Sequence, residues 1–215
     1  MAPELPTFRL NRRALARGMA GGLALSALQP LAAFAQETAA PVIEDFAIGA
    51  EDAKVTISEY SSFTCPHCAT FHAEVFPLLK AEYIDTGKVR FEYREVYFDR
   101  YGLWAAMMAR CGGSMRYFGI TDILFDTQKE WAASDDQGQV VANIKKIGVT
   151  AGMDAATVDQ CLQDDAMAKA LVAHYQTNAA ADGLEGTPSF KINGVMHSNM
   201  PYEALKLILD TELAK

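Results

Sequence analysis

Long apolar runs, basic charge and grouped metal ligands are all scarce in this chain. Its most apolar stretch, Gly18 to Leu31, is shorter than the roughly 20 residues needed to span a bilayer, which argues against an anchor there. Lys and Arg number 19 against 27 Asp and Glu, a net charge of −8, and so acidic a chain is a poor partner for nucleic acid. There is no internal repeat and no low-complexity tract, which excludes solenoid and disordered classes. Three of the four histidines, His72, His174 and His197, lie at no ligand spacing, and no second close Cys/His pair completes a four-ligand zinc site. No metal is expected. What remains, in 215 residues of which 50% are hydrophobic and 21% charged, is one sizeable globular core.

The first 35 residues read as a processing segment and not as part of the fold. Arg9, Arg12, Arg13 and Arg17 form a basic start, Gly18 to Leu31 carries no charge, and Ala33-Phe34-Ala35 gives a small-x-small cleavage pattern before Gln36. The segment holds four Arg against one Glu, so its removal takes the net charge from −8 to −11. Asn11-Arg12-Arg13-Ala14-Leu15 loosely resembles a twin-arginine signal but does not choose an export route. The four cysteines, Cys65, Cys68, Cys111 and Cys161, all lie downstream. An even count in an exported chain points to disulfide chemistry.

Residues 36–47 read as a loose leader. Val55 to Tyr60 alternates as a strand, a helical pattern runs from Cys65 to about Tyr83 with Phe71, Val75, Leu78 and Leu79 on one side, and Val89 to Val96 is a second strand. From Tyr101 to Ala181 the chain turns Ala-, Met-, Asp- and Gln-rich and reads as four or five helices. Strand signals return at Ser189–Ile192, followed by the hairpin dipeptide Asn193-Gly194 and a short returning strand. Tyr202 to Leu213 is an amphipathic helix with Leu205, Ile208 and Leu209 inward. The order is that of a small α/β sheet domain, residues 48–100 and 182–215, interrupted by a helical block at 101–181.

Cys65-Pro66-His67-Cys68 falls where strand and loop meet a helix. A helix N-terminus presents free N–H groups and a partial positive charge, which favours a thiolate, the species that attacks disulfides. Two intervening residues return Cys68 to bonding reach of Cys65. Pro66 suits a first helical turn, where its missing N–H costs little. His67 can add a donor or a positive charge near the sulfur. A purely structural disulfide over so short a loop would stabilise little. Thr187-Pro188 immediately precedes a strand, where a proline removes a ladder donor; an ordinary trans turn is the plain reading.

The run Glu59-Tyr60-Ser61-Ser62-Phe63-Thr64-Cys65-Pro66-His67-Cys68, with Gly186-Thr187-Pro188-Ser189-Phe190 downstream, resembles the DsbA family of bacterial thiol oxidants. The resemblance runs from about Ile48 to the C-terminus and includes the helical block. It implies an α/β thioredoxin fold with an inserted all-helical subdomain. Cys65 would be the exposed nucleophile and Cys68 the buried resolving thiol. Pro188 would be a cis-proline facing the pair, Thr187 would offer its backbone to a bound peptide, and Glu59 would be a buried acid that helps proton transfer. Cys111 and Cys161 resemble a second, structural disulfide of alphaproteobacterial relatives. His72 is a departure, standing where the best-known members carry an acid.

The function implied is that of a monomeric periplasmic oxidase with no organic cofactor. It would act on reduced exported proteins and be re-oxidised by a membrane quinone-linked, DsbB-like partner. The alternatives are an isomerase or reductase of the same fold, or a peptide-binding holdase whose action would not depend on Cys65. The roughly 15 residues between cleavage site and first core strand cannot supply the dimerisation domain that such isomerases usually carry. Mass spectrometry of exported material should find an N-terminus at or near Gln36, and exported protein that retains Met1 would contradict the cleavage reading.

Overall fold

The computed structural model describes residues 41–215; the expected signal segment, residues 1–35, lies outside the described residues. Two strands, β2 (Val55–Ser61) and β3 (Val89–Glu95), lie parallel, register running from Val55↔Val89 to Ser61↔Glu95. β4 (Ser189–Ile192) lies antiparallel on the other side of β2, and β5 (Val195–Ser198) returns beside β4. The hairpin turns through Asn193 at φ 44° and Gly194 at φ 90°, the left-handed pair that Asn-Gly accepts readily. A three-residue strand, β1 (Phe46–Ile48), adds antiparallel to β3, giving the order β1-β3-β2-β4-β5. β2 is therefore the central strand, and it is buried along nearly all its length, Glu59 and Ser61 included.

β1 corrects the loose-leader reading. Phe46 and Ala47 are paired with Tyr93 and Glu92, and Asp45 bonds Arg94 at 2.7 Å and His174 at 2.8 Å. A three-residue edge strand is too short for alternation to reveal it. The helix expected from Cys65 to Tyr83 is also three pieces: α1 (Pro66–Glu74), α2 (Phe76–Leu79) and a π-helical turn, Lys80–Ile84. Pro77 has no N–H to give the Ala73 carbonyl, so the chain breaks at Val75. Leu78, expected on the inward side, is 44% exposed.

The inserted block holds α3 (Arg100–Cys111), α4 (Ser114–Asp126), α5 (Gln128–Trp131), α6 (Gln137–Thr150), α7 (Ala155–Leu162) and α8 (Asp165–Asp182); α9 (Tyr202–Ala214) closes the chain. Four of these helices start on an aspartate, Asp99, Asp136, Asp154 and Asp164, whose carboxylate accepts first-turn N–H groups. Such caps stabilise by about 1 kcal/mol each. α8 stops at Gly183, φ 62°. Among the described residues no helix is long and apolar enough to cross a membrane.

Two apolar clusters result. One joins the sheet to α1, α2 and α9 through Ile57, Phe71, Phe91, Phe190, Leu205 and Leu209. The other is built from the block around Met108, Tyr117, Leu124, Trp131 and Ile144, and it contains Cys65 and Cys68. Glu95 points inward at its edge and is compensated there. Arg110 meets it through Nε and Nη2, both at 2.6 Å, and the Tyr117 hydroxyl donates at 2.6 Å. A buried acid so far from water would otherwise cost several kcal/mol.

A disulfide joins Cys111 at the end of α3 to Cys161 in α7, Cα atoms 6.0 Å apart and 50 residues apart in sequence. Closing a loop of that size is worth about 4 kcal/mol in the chain-entropy model. The double variant Cys111→Ala/Cys161→Ala should therefore unfold at lower urea by up to that amount; an unchanged midpoint would show that the link adds no stability.

Candidate active site

β2 ends at Ser61, and Ser62–Thr64 lead directly to Cys65, the N-cap of α1 (φ −83°, ψ 119°). No side chain caps this helix, and Pro66 takes its first position. Sγ of Cys65 thus stands where a capping oxygen usually sits, facing free N–H groups. The loop is fixed from the far side. Thr64 Oγ1 donates to Asp99 at 2.7 Å, and the same carboxylate caps α3 by accepting from Tyr101 and Gly102. Gly102 is glycine for close approach: a Cβ there would lie 3.3 Å from Ser62 Oγ and 3.4 Å from Thr64 Oγ1.

Cys65 and Cys68 are free thiols in different surroundings. Cys65 keeps 8% of its surface, whereas Cys68 has none. The Cys65 thiol is brought down to about 5, chiefly because the Cys68 thiol donates to it; burial opposes, and the Thr187 side chain and the backbone N–H groups of Cys68 and His67 add to the lowering. The Thr187 carbonyl, 3.6 Å from Sγ, accepts only from the protonated thiol and works the other way. Cys68 is driven upward, first by burial, then by its bond to Cys65 and the charge of Glu59. The expected exposed nucleophile is in fact buried: Cys65 reaches the surface only by a narrow rim and favours the thiolate, while Cys68 is fully enclosed and holds its proton.

Thr187 lies against Cys65 and is joined to Pro188 by a cis peptide, immediately before β4. Pro66 and His67 are exposed. The His67 backbone N–H is among the groups that favour the Cys65 thiolate. The His67 side chain lines a surface cleft of about 330 Å³ with Thr70, Phe71, Glu74 and Met200.

Glu59 is wholly buried, and its partner was missed in the sequence. His72 Nε2 lies 3.0 Å from Glu59 Oε2, both side chains at most 3% exposed. The imidazole stacks on Phe125 with centroids 4.0 Å apart. Glu59 Oε1 and His72 Nδ1 have no hydrogen-bond partner among the described residues. The sequence signal was available: His72 lies one helical turn beyond Cys68, on the side of Phe71 that packs on the sheet. His174 and His197 lie elsewhere, the first bonded to Asp45. Among the described residues no three His, Cys, Asp or Glu side chains are grouped to hold a metal.

The family model described as Thioredoxin matches residues 42–211. A Rickettsia bellii protein named, by inference, a protein-disulfide oxidoreductase is 34% identical over 77% of this chain and 63% of its own length. The chain thus spans under two thirds of that relative. Disulfide bond formation protein D of Bacillus subtilis is 25% identical over 77% of this chain and 76% of its own. Among solved structures, alpha-DsbA1 of Wolbachia pipientis superposes with a TM-score of 0.73 at 26% identity, covering 81% of this chain and 93% of that one.

Because the Cys68 thiol is the main support of the Cys65 thiolate, Cys68→Ala should raise the pH midpoint of Cys65 alkylation. A hydrogen bond to a charged group is worth about 1.5–3 kcal/mol, hence roughly one to two pH units. An unmoved midpoint would assign the stabilisation to the backbone N–H groups alone.

Proposed function

The chain belongs to the thioredoxin family, and on that premise we propose that it is a dithiol oxidase that introduces disulfides into exported proteins through Cys65 and Cys68. The observation that carries this reading is the asymmetry of the pair, a thiolate at about 5 beside a buried thiol driven the other way. In the oxidised protein a substrate thiolate attacks Sγ of Cys65. The Cys65–Cys68 bond breaks, a mixed disulfide forms at Cys65, and Cys68 leaves and takes up a proton. A second substrate thiol, losing its proton, then attacks the substrate sulfur of the mixed disulfide. The substrate leaves oxidised by two electrons, and Cys65 leaves as a thiolate.

The roles of the other residues follow from where they stand. Thr187 offers its backbone to the substrate strand beside Cys65, and Pro188 keeps that face free of a competing N–H. Glu59, paired with His72, lies buried where Cys68 exchanges its proton. Pro66 starts α1, and His67 supplies a backbone donor and one wall of the adjoining cleft. Cys111–Cys161 is structural. Dithiol exchange carries its own electrons, so the reaction needs no organic cofactor or metal in this chain. The reduced protein is regenerated by a membrane quinone-linked, DsbB-like oxidant. The protein acts as a monomer in the periplasm, exported by residues 1–35.

The thiolate also sets the direction of exchange. Cys65 titrates at 9.0 when unperturbed and at about 5 in the fold. A depressed acid stabilises the reduced fold fully above pH 9, and this gain is lost as pH falls through 5. At pH 7, between the two values, a substantial part of that gain is present. The oxidised form has no thiolate, and its short loop offers little entropy in exchange. A disulfide whose reduction is favoured is readily given away, which is the logic that makes DsbA a strong oxidant.

Melts at pH 7 should show the reduced protein more stable than the oxidised one, the gap closing toward pH 4; a more stable oxidised form at pH 7 would favour a reductase. With the recycling thiol removed, Cys68→Ser should accumulate DTT-sensitive adducts with exported proteins, and Cys65→Ser none. Equal adducts in both would overturn the assignment of roles.

A further inference from the structure

Gln128 is the first residue of α5, a four-residue helix of the inserted block, and its side chain is buried. Glutamine is seldom buried without a reason, because ordering and desolvating its amide costs free energy that its partners must return. Its partners lie more than 60 residues away, in the loop that delivers the nucleophile. Nε2 donates to the Phe63 carbonyl at 2.8 Å and to the Cys65 carbonyl at 3.0 Å. Both N–H bonds of the amide are thus used on the two carbonyls that bracket Thr64.

The second of these is the carbonyl of the nucleophile itself. It also accepts from the Ala69 N–H at 3.2 Å, the first helical bond of α1. One oxygen is therefore held along the axis of α1 and across it, toward α5. Its direction defines ψ of Cys65, 119°, and with it the angle at which Sγ meets the N–H groups of His67 and Cys68.

We propose that Gln128 is a positioning residue for Cys65: by holding the Phe63 and Cys65 carbonyls it aims the sulfur at the N-terminal amides of α1, so that the inserted block helps set the oxidising strength of the pair. The proposal rests on Cys65 being the nucleophile. It differs from a packing role in what it affects. Packing alone would support the reduced and oxidised folds equally, whereas aim matters only when Sγ carries charge.

Gln128→Met keeps the size and loses both donors. Gln128→Glu keeps the shape and replaces the donors with a carboxylate. In the full chain, the thiolate absorbance near 240 nm would be titrated, the equilibrium with glutathione measured at pH 7, and the melting of both redox forms recorded. The Cys65 midpoint should rise by roughly one unit in Gln128→Met, which cuts the thiolate fraction at pH 5 about fivefold. It should rise at least as far in Gln128→Glu. The glutathione equilibrium should shift toward oxidised protein, and the reduced form should lose more stability than the oxidised one. An unmoved midpoint and equilibrium, with equal losses in both forms, would reduce Gln128 to packing and overturn the proposal. Should one variant fail to fold, the other carries the test. A wild-type Cys65 that titrates near 9 would sink the active-site reading, and this proposal with it.

Discussion

A negative charge on one sulfur, held at the start of a helix, is the constraint around which the rest of the molecule is arranged. Charge on Cys65 needs donors, and the site collects them from two places: the Cys68 thiol and two backbone N–H groups at the start of α1, and the Thr187 side chain 122 residues on. Each requires its own support. Cys68 must be a thiol, so it is buried and set beneath Cys65, near Glu59. The N–H groups must be free, so α1 begins with Pro66 and no side-chain cap. Thr187 must face Sγ, so it is placed at the head of β4, which is held against β2 from Tyr60↔Ser189 onward.

The helical block belongs to this arrangement more than its place in the chain suggests. The apolar cluster that encloses Cys65 and Cys68 is the block's own, not the one between sheet and α9. Asp99 at the head of α3 fixes Thr64, and Gln128 at the head of α5 reaches the two carbonyls on either side of it. β2 thus delivers the loop, and the block holds it. The Glu95–Arg110–Tyr117 cluster ties β3 to α3 and α4.

What the sequence disclosed was whatever is local. Val55–Tyr60, the Asn193-Gly194 hairpin and α9 carry their signals within a few residues, and Cys-Pro-His-Cys at a strand-to-helix junction declares its chemistry by spacing alone. The break at Pro77 follows from the same local rules. What stayed hidden is non-local. β1 is three residues whose partner lies over forty positions on, at Tyr93. Glu59 and His72 are 13 residues apart on different elements and meet only once α1 packs on the sheet. Gln128 looks like any polar residue between two helices until the block folds onto the loop.

The central claim is that the reduced protein keeps Cys65 as a thiolate across the physiological range, and the pH dependence of the reduction potential tests it most directly. Reduction of a two-electron couple moves the potential by about 30 mV per pH unit for each proton taken up. Between pH 5.5 and 8, conditions chosen as roughly the span between the folded and unperturbed midpoints, only Cys68 should gain a proton. The account therefore predicts a slope of about 30 mV per unit, steepening toward about 59 mV below pH 5. A slope of about 59 mV per unit throughout would mean that both sulfurs are protonated on reduction, and would contradict it.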